Sequence, residues 1–389
     1  MSIRLSVALF LGLPVSVILF VTILPLLWMW MIPAAIGGTE LAPLFLLLGL
    51  VVMCLAWRRD PAHRRLRWLA LGCGVWIVLL TARTLIRVPS TWAAADRAVT
   101  AGLLTAGHPS TEPTLHPVCD PLALLFGIST PAIVVDSGVE LGSSDGVQLR
   151  GDVYHPPQAG VHPVVLVVHG GGWNGGERSE GRTVSRALAA AGFLVVSCDY
   201  RLAPAYHFPA QLTDVQVALH WIRMHAAELR ADPTRMALLG RSAGAQLALL
   251  TAAKSDSGID AVVCFYSPVD FVAGWRDPGW PDPLDARTIF RDYLGGTLDE
   301  MPERFREASP INHTDHPLPP VLLICGESDQ LVELRFGQLL TEHLRAGGTP
   351  TVLITIPWAE HAFDAIPHGL GGQLALHQVE RFLKATLHH

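Results

Sequence analysis

The pentapeptide GRSAG at 240–244 sets Ser242 between Gly240 and Gly244, with the apolar run MALLG leading in and AQLALLTAA leading out. G-x-S-x-G at a strand-to-helix junction can hold a serine hydroxyl out of a sharp bend, and bulk is unwelcome two residues to either side because the bend crowds its neighbours. The pattern alone is weak, since it recurs by chance. A serine that attacks an acyl group also needs a base, an acid to orient that base, and donors for the oxyanion. The apolar run VLLICG ends in ESDQLV, which offers Asp329 with Glu327 as its rival, and VLITI ends in PWAEHAFD, which offers His361. Asp329 is preferred because it lies beyond the tight Gly-Glu-Ser turn, where a carboxylate can reach back toward a histidine. Upstream, PVVLVV ends in HGGGW at 169–173, and three glycines let the backbone approach a substrate closely with its N–H groups turned inward. Gly171, Gly172 and Ala243 are the expected oxyanion donors, with His169 as an organiser of the loop. The glycines match neither phosphate-binding spacing, G-x-x-x-x-G-K-[ST] or G-x-G-x-x-G. His313 and His316 lack the further ligands of a metal site. Neither metal nor cofactor is expected.

These residues need elements to carry them. From residue 139 onward, apolar runs of strand length alternate with helical stretches: VQLRGDVY, PVVLVVHG, FLVVSCDY, MALLG, AVVCFYS, PPVLLICG and TVLITI, separated by helices near 181–191, 210–229, 243–253, 331–346 and 372–387. Such alternation implies an α/β fold, a mostly parallel sheet flanked by helices. Each candidate side chain falls at the end of a strand, where open parallel sheets bind ligands. Residues 268–318 are too long for an ordinary connection and read as an inserted cap. Phe271, Trp275, Trp280, Phe290 and Tyr293 could line an acyl pocket there, or only staple the cap to the body.

The first part of the 389-residue chain has another character. Half of the chain is apolar and 16% is charged, and stretches 5–39, 41–57 and 68–82 carry no charged residue. A bilayer-crossing helix needs roughly 20 apolar residues. The first stretch passes, the second is marginal, and the third passes if Arg83 snorkels. A cleaved signal peptide has a shorter apolar region and is not followed by two more. About three spans are therefore expected in a membrane region at 1–87, with 88–138 as a connector, partly helical around Trp92 to Leu104 and packed on the next domain or the membrane, and the catalytic domain at 139–389. The segment RRDPAHRRLR, with Arg58, Arg59, Arg64, Arg65 and Arg67, belongs inside by the positive-inside rule. The N-terminus is then cytoplasmic and the catalytic domain extracytoplasmic. Cys54 and Cys73 lie in apolar spans and Cys198, Cys264 and Cys325 in strand-like runs, so they read as small buried hydrophobes. A net charge of −6 without a broad basic cluster gives no support for nucleic-acid binding.

Together HGGGW, DYRLAP (199–204), FPAQLTDV (208–215), GRSAG, SPI (309–311), GESDQLV and EHAF resemble the hormone-sensitive-lipase-like esterases of the alpha/beta-hydrolase fold, which include bacterial acetyl-esterases and carboxylesterases. The resemblance spans about 139–387. It implies Ser242 as nucleophile, Asp329 as acid, His361 as base, and Gly171, Gly172 and Ala243 at the oxyanion hole, with Asp199 and Arg201 as braces. The chain departs from many relatives in having Arg241 before the serine and membrane spans where cap helices are common. The expected activity is hydrolysis of small-molecule or lipid carboxylic esters beside the bilayer. Acyl transfer or deacylation on lipid or cell-envelope groups is the alternative within chemistry, with peptidase or amidase action behind it. A catalytically idle hydrolase domain that binds is the alternative outside it.

Overall fold

The computed structural model describes residues 2–25, 27–57, 61–108, 113–254 and 257–387. In chain order the N-terminal helices are α1 (Ile3–Phe20), α2 (Met31–Glu40), α3 (Ala42–Trp57), α4 (Arg64–Leu85), α5 (Val88–Thr105) and α6 (Pro121–Phe126). There follow β1 (Val134–Ser144), β2 (Val147–His155), β3 (His162–Val168), α7 (Arg182–Ala190), β4 (Leu194–Cys198), α8 (Ala210–Met224), α9 (Ala226–Leu229), β5 (Ala231–Arg241), α10 (Ala243–Ala252) and β6 (Ala261–Phe265). The remainder comprises α11 (Phe271–Arg276), α12 (Ala286–Leu294), α13 (Pro302–Ala308), β7 (Val321–Gly326), α14 (Leu334–Ala346), β8 (Thr351–Ile356) and α15 (Leu370–Leu387).

The eight strands form one sheet in the order β1-β2-β4-β3-β5-β6-β7-β8. Pairing is antiparallel for β1/β2 and β2/β4 and parallel throughout the rest. All seven residues of β3 are buried, which suits a strand covered on both faces. Its side chains alternate between two cores: Val164, Leu166 and Val168 join α8 and α10 on one face, whereas Val165 and Val167 join α5, α7 and α15 on the other. The sheet is the mostly parallel, helix-flanked arrangement that the strand and helix pattern implies, and it has the hydrolase fold that the resemblance implies.

Three elements fall in the stretch expected as a connector: α5, the short α6 and the start of β1. β1 starts at Val134, and α5 packs against β8 and α15, burying Val88, Ala95, Val99 and Leu103 at helical spacing. At Gly102 a Cβ would come within 2.1 Å of Val352 Cγ2, so the helix presses directly on the strand. The helix expected around Trp92 to Leu104 thus runs over Val88–Thr105 and packs on the body, leaving Asp96 and Arg97 exposed on its other side.

Among the described residues, two helices are long and apolar enough to cross a membrane, Ile3–Ile23 and Pro61–Thr105, and a third candidate is the pair α2 and α3, bent by 82°. On α1, Ile3, Phe10 and Val17 are exposed seven residues apart, while Leu5, Ala8 and Gly12 face inward. Small residues bring these helices together: a Cβ on Gly74 would lie 3.0 Å from the Gly49 carbonyl oxygen. The uncharged stretch 5–39 divides into α1 and α2, and α2 folds back against the hydrolase body. Arg58 and Arg59, on which part of the expected orientation rests, lie outside the described residues.

Candidate active site

β5 ends at Arg241, and the chain turns at Ser242 with φ 50° and ψ −119°, a left-handed conformation that non-glycine residues adopt only under strain. The turn leaves no room around it. A Cβ at Gly240 would meet the Gly244 carbonyl oxygen at 2.3 Å, and one at Gly244 would meet the oxygens of Val168 and His169 at the same distance. This is why both flanking positions are glycine. The N–H of Ser242 donates to the Phe265 oxygen at 3.0 Å, and α10 starts at Ala243, so the positive end of a helix faces the hydroxyl.

His361, on the loop after β8, places Nε2 3.0 Å from Ser242 Oγ and Nδ1 2.8 Å from Asp329 Oδ2. The other oxygen of Asp329 accepts N–H bonds from Leu331 and Val332, both at 2.9 Å, which hold the carboxylate in place. Asp329 and His361 are buried at 4% and 8% exposure, whereas the rival Glu327 is exposed. Tyr266 packs its ring against the imidazole at 4.4 Å. The neighbouring Glu360 carboxyl is pushed up to about 8, first by burial and then by the charge of Asp329.

Gly171 and Gly172 take φ values of 104° and 58° after β3, and with Ser242 and His361 they line a cavity of about 510 Å³. Among the described residues the N–H groups of Gly171 and Gly172 have no backbone acceptor, and Ala243 is the first residue of its helix. His169 is stacked on Tyr200 at 4.1 Å and donates from Nδ1 to the Gly170 oxygen at 2.7 Å, and burial lowers its pKa. It orders the loop, away from the hydroxyl. Asp199 accepts two bonds from Arg178 at 2.7 Å, and Arg201 is buried against Asp214 and Ser144. Both brace the body.

Of the five cap aromatics, only Phe290 lines the cavity. Phe271 and Tyr293 are fully buried against Trp173, with Tyr293 stacked at 4.2 Å; Trp275 packs edge-on against Phe305; Trp280 is 80% exposed. Phe271, Phe290 and Tyr293 bind the insertion down, because Trp173 of the glycine loop offers them a surface and its Nε1 donates to Gln246 of α10. Among the described residues no cluster of His, Cys, Asp or Glu could hold a metal ion.

Three participants have no motif to announce them. Asp364 accepts from Arg241 and from Tyr266, a buried cluster at the cavity wall that gives the arginine before the serine its partner. Met29, from the segment between α1 and α2, lines the cavity. Glu40 at the end of α2 is fully buried and accepts bonds from Trp358 Nε1 at 3.2 Å and from the N–H groups of Gly371 and Gly372 at 2.6 and 3.1 Å. Its isolation as the single acid between residues 5 and 57 was the available signal.

The fold and this constellation define a class, and similarity to known proteins agrees. The family model described as BD-FAE matches residues 151–344. The chain is 33% identical over 241 residues to esterase LipC of Mycobacterium tuberculosis, covering 57% of this chain and 58% of that one. To carboxylesterase NlhH of the same organism it is 32% identical over 224 residues, covering 54% of this chain and 70% of that one. The crystal structure of EstE1, a thermostable carboxylesterase cloned from a metagenomic library, superposes with a TM-score of 0.58 at 25% identity, over 77% of this chain and 98% of that one. The chain belongs to the esterases of the alpha/beta-hydrolase fold. It spans under three fifths of the length of LipC.

Proposed function

We propose that this chain is a membrane-anchored serine esterase that cleaves carboxylic esters through Ser242, His361 and Asp329. Ser242 Oγ attacks the ester carbonyl while His361 Nε2 takes its proton, Asp329 holds the imidazolium, and the proton passes to the departing alcohol oxygen. Water, deprotonated by the same imidazole, then releases the acid from the acyl-enzyme. The N–H groups of Gly171, Gly172 and Ala243 stabilise the oxyanion, and one such donor is typically worth roughly 3 kcal/mol of barrier. The observation that carries the reading is the unbroken file of hydrogen bonds from the Ser242 hydroxyl through His361 to Asp329. No erosion of that file or of the glycine loop favours an idle binding domain.

Residues 1–87 are the membrane region, 88–138 join it to the hydrolase, and 139–389 carry the chemistry, with the cap at 268–318. Basic residues Arg64, Arg65 and Arg67 at the start of α4 keep that end cytoplasmic, so the hydrolase lies on the far side. The test is turnover of short p-nitrophenyl esters by the full chain and by Ser242→Ala. A loss of about 10³-fold or more, together with loss of fluorophosphonate labelling, is expected. Equal turnover by the two proteins removes Ser242 as the nucleophile.

A further inference from the structure

The cavity at Ser242 is not closed by the hydrolase alone. Met29 forms part of its wall, and Met29 belongs to the uncharged sequence Leu27, Trp28, Met29, Trp30, only a few residues beyond the membrane-length helix Ile3–Ile23. Leu27, Trp28 and Trp30 are 46%, 57% and 67% exposed, and the two indoles stack on each other at 6.1 Å. Exposed tryptophans at the end of an apolar span are the side chains that settle at the headgroup level of a bilayer, where an amphipathic ring is best accommodated. The segment is held to the catalytic loop: Glu40 ties α2 to Trp358, three residues before His361, and Met31, Ile32 and Ile36 pack with Leu331 and Ala362. The cavity lining is largely apolar and includes Leu284, Ile289, Phe290 and Phe336.

We propose that the substrate is a long-chain acyl ester resident in the bilayer, which enters the cavity past Met29 from the membrane surface marked by Trp28 and Trp30. This rests on the esterase reading above. The acyl group passes to Ser242 Oγ, the hydroxyl proton moves through His361 to the departing glycerol-type oxygen, and water then returns the fatty acid.

The experiment uses the full chain reconstituted in phosphatidylcholine vesicles containing dioleoylglycerol, with p-nitrophenyl butyrate as a soluble ester in parallel. The parent protein is expected to cleave both. The double variant Trp28→Ala/Trp30→Ala, whose side chains are outside the cavity wall, is expected to lose about tenfold or more on dioleoylglycerol while staying within about twofold on the soluble ester. Met29→Glu, which puts a charge in the entry, is expected to lose the lipid activity while still reacting with a fluorophosphonate probe. Cleavage of the soluble ester with dioleoylglycerol untouched overturns the proposal and leaves the esterase reading standing, as does an equal loss on both substrates in the double variant. Absence of both activities and of probe labelling in the parent protein overturns the esterase reading itself.

Discussion

The carboxylate of Asp329 has two separate duties, and they predict different outcomes for its replacement. One oxygen is held by two backbone N–H groups and the other receives the imidazole. Asp329→Asn keeps the shape but can offer a donor where an acceptor is needed, which favours the wrong tautomer of His361. The expected loss in kcat is about 10⁴-fold with little change in KM, measured on a soluble ester. Glu360, next door, answers to pH. Its ordinary value of 4.5 is raised to about 8 in the folded chain, so the folded state keeps a proton that the unfolded state releases. Stability from this group is complete at pH values below the unfolded value and is lost as pH rises through the folded one. Between those limits the slope is about 1.4 kcal/mol per pH unit at most. Glu360→Gln is expected to flatten that slope and to raise the unfolding temperature near pH 8, read from thermal melts across the range. A slope unchanged by the substitution contradicts the assignment.

Among elements, α2 and α5 tie the two parts of the molecule together. Glu40 sits at the N-terminal end of α15, where the helix dipole favours negative charge, and satisfies three N–H groups. Glu40→Ala strands those donors in a buried place, and each unsatisfied donor costs about 1 to 3 kcal/mol. A clear fall in thermal stability is expected, partly restored in Glu40→Gln, which keeps an acceptor oxygen. A melt indistinguishable from the parent shows that α2 does not hold the body. Helix α5 covers β8 and α15 with Val99 and Leu103. A chain starting after Thr105 uncovers that face and is expected to aggregate, whereas one starting at Val88 keeps it covered; sedimentation of the two tells them apart.

At the scale of the whole molecule, α4 runs into α5 within a stretch of 45 residues, so the body is joined to the apolar N-terminal helices without a slack tether. Orientation therefore belongs to the molecule as one piece. Reporter fusions after Trp57 and after Val88 are expected on opposite sides of the membrane, the first cytoplasmic. Both reporting from one side reverses the proposed topology. In the proposed topology a body held in this way keeps one face toward the bilayer, which is the condition that entry past Met29 requires.

How much could be read beforehand follows from the range of each interaction. The glycines around Ser242 are demanded by a local bend, the strands by continuous apolar runs, and Asp329 and His361 by their position just past strand ends. These are short-range requirements, and they leave a mark in neighbouring letters. Asp329 over Glu327 was a matter of reach, and the geometry of the loop gave His361 to Asp329. The pairing of Arg241 with Asp364, the closing of the cavity by Met29 and the docking of Glu40 on Trp358 and Gly371 join residues scores to hundreds of positions apart. Nothing local requires them, because each partner could satisfy its charge or its apolar surface in other ways. The linear order of residues thus pointed to Ser242, to a carboxylate and a histidine just past strand ends, and to the α/β alternation, while only the folded chain decided that Asp364 partners Arg241, which aromatics face the cavity, and that Met29 of the N-terminal segment supplies part of its wall.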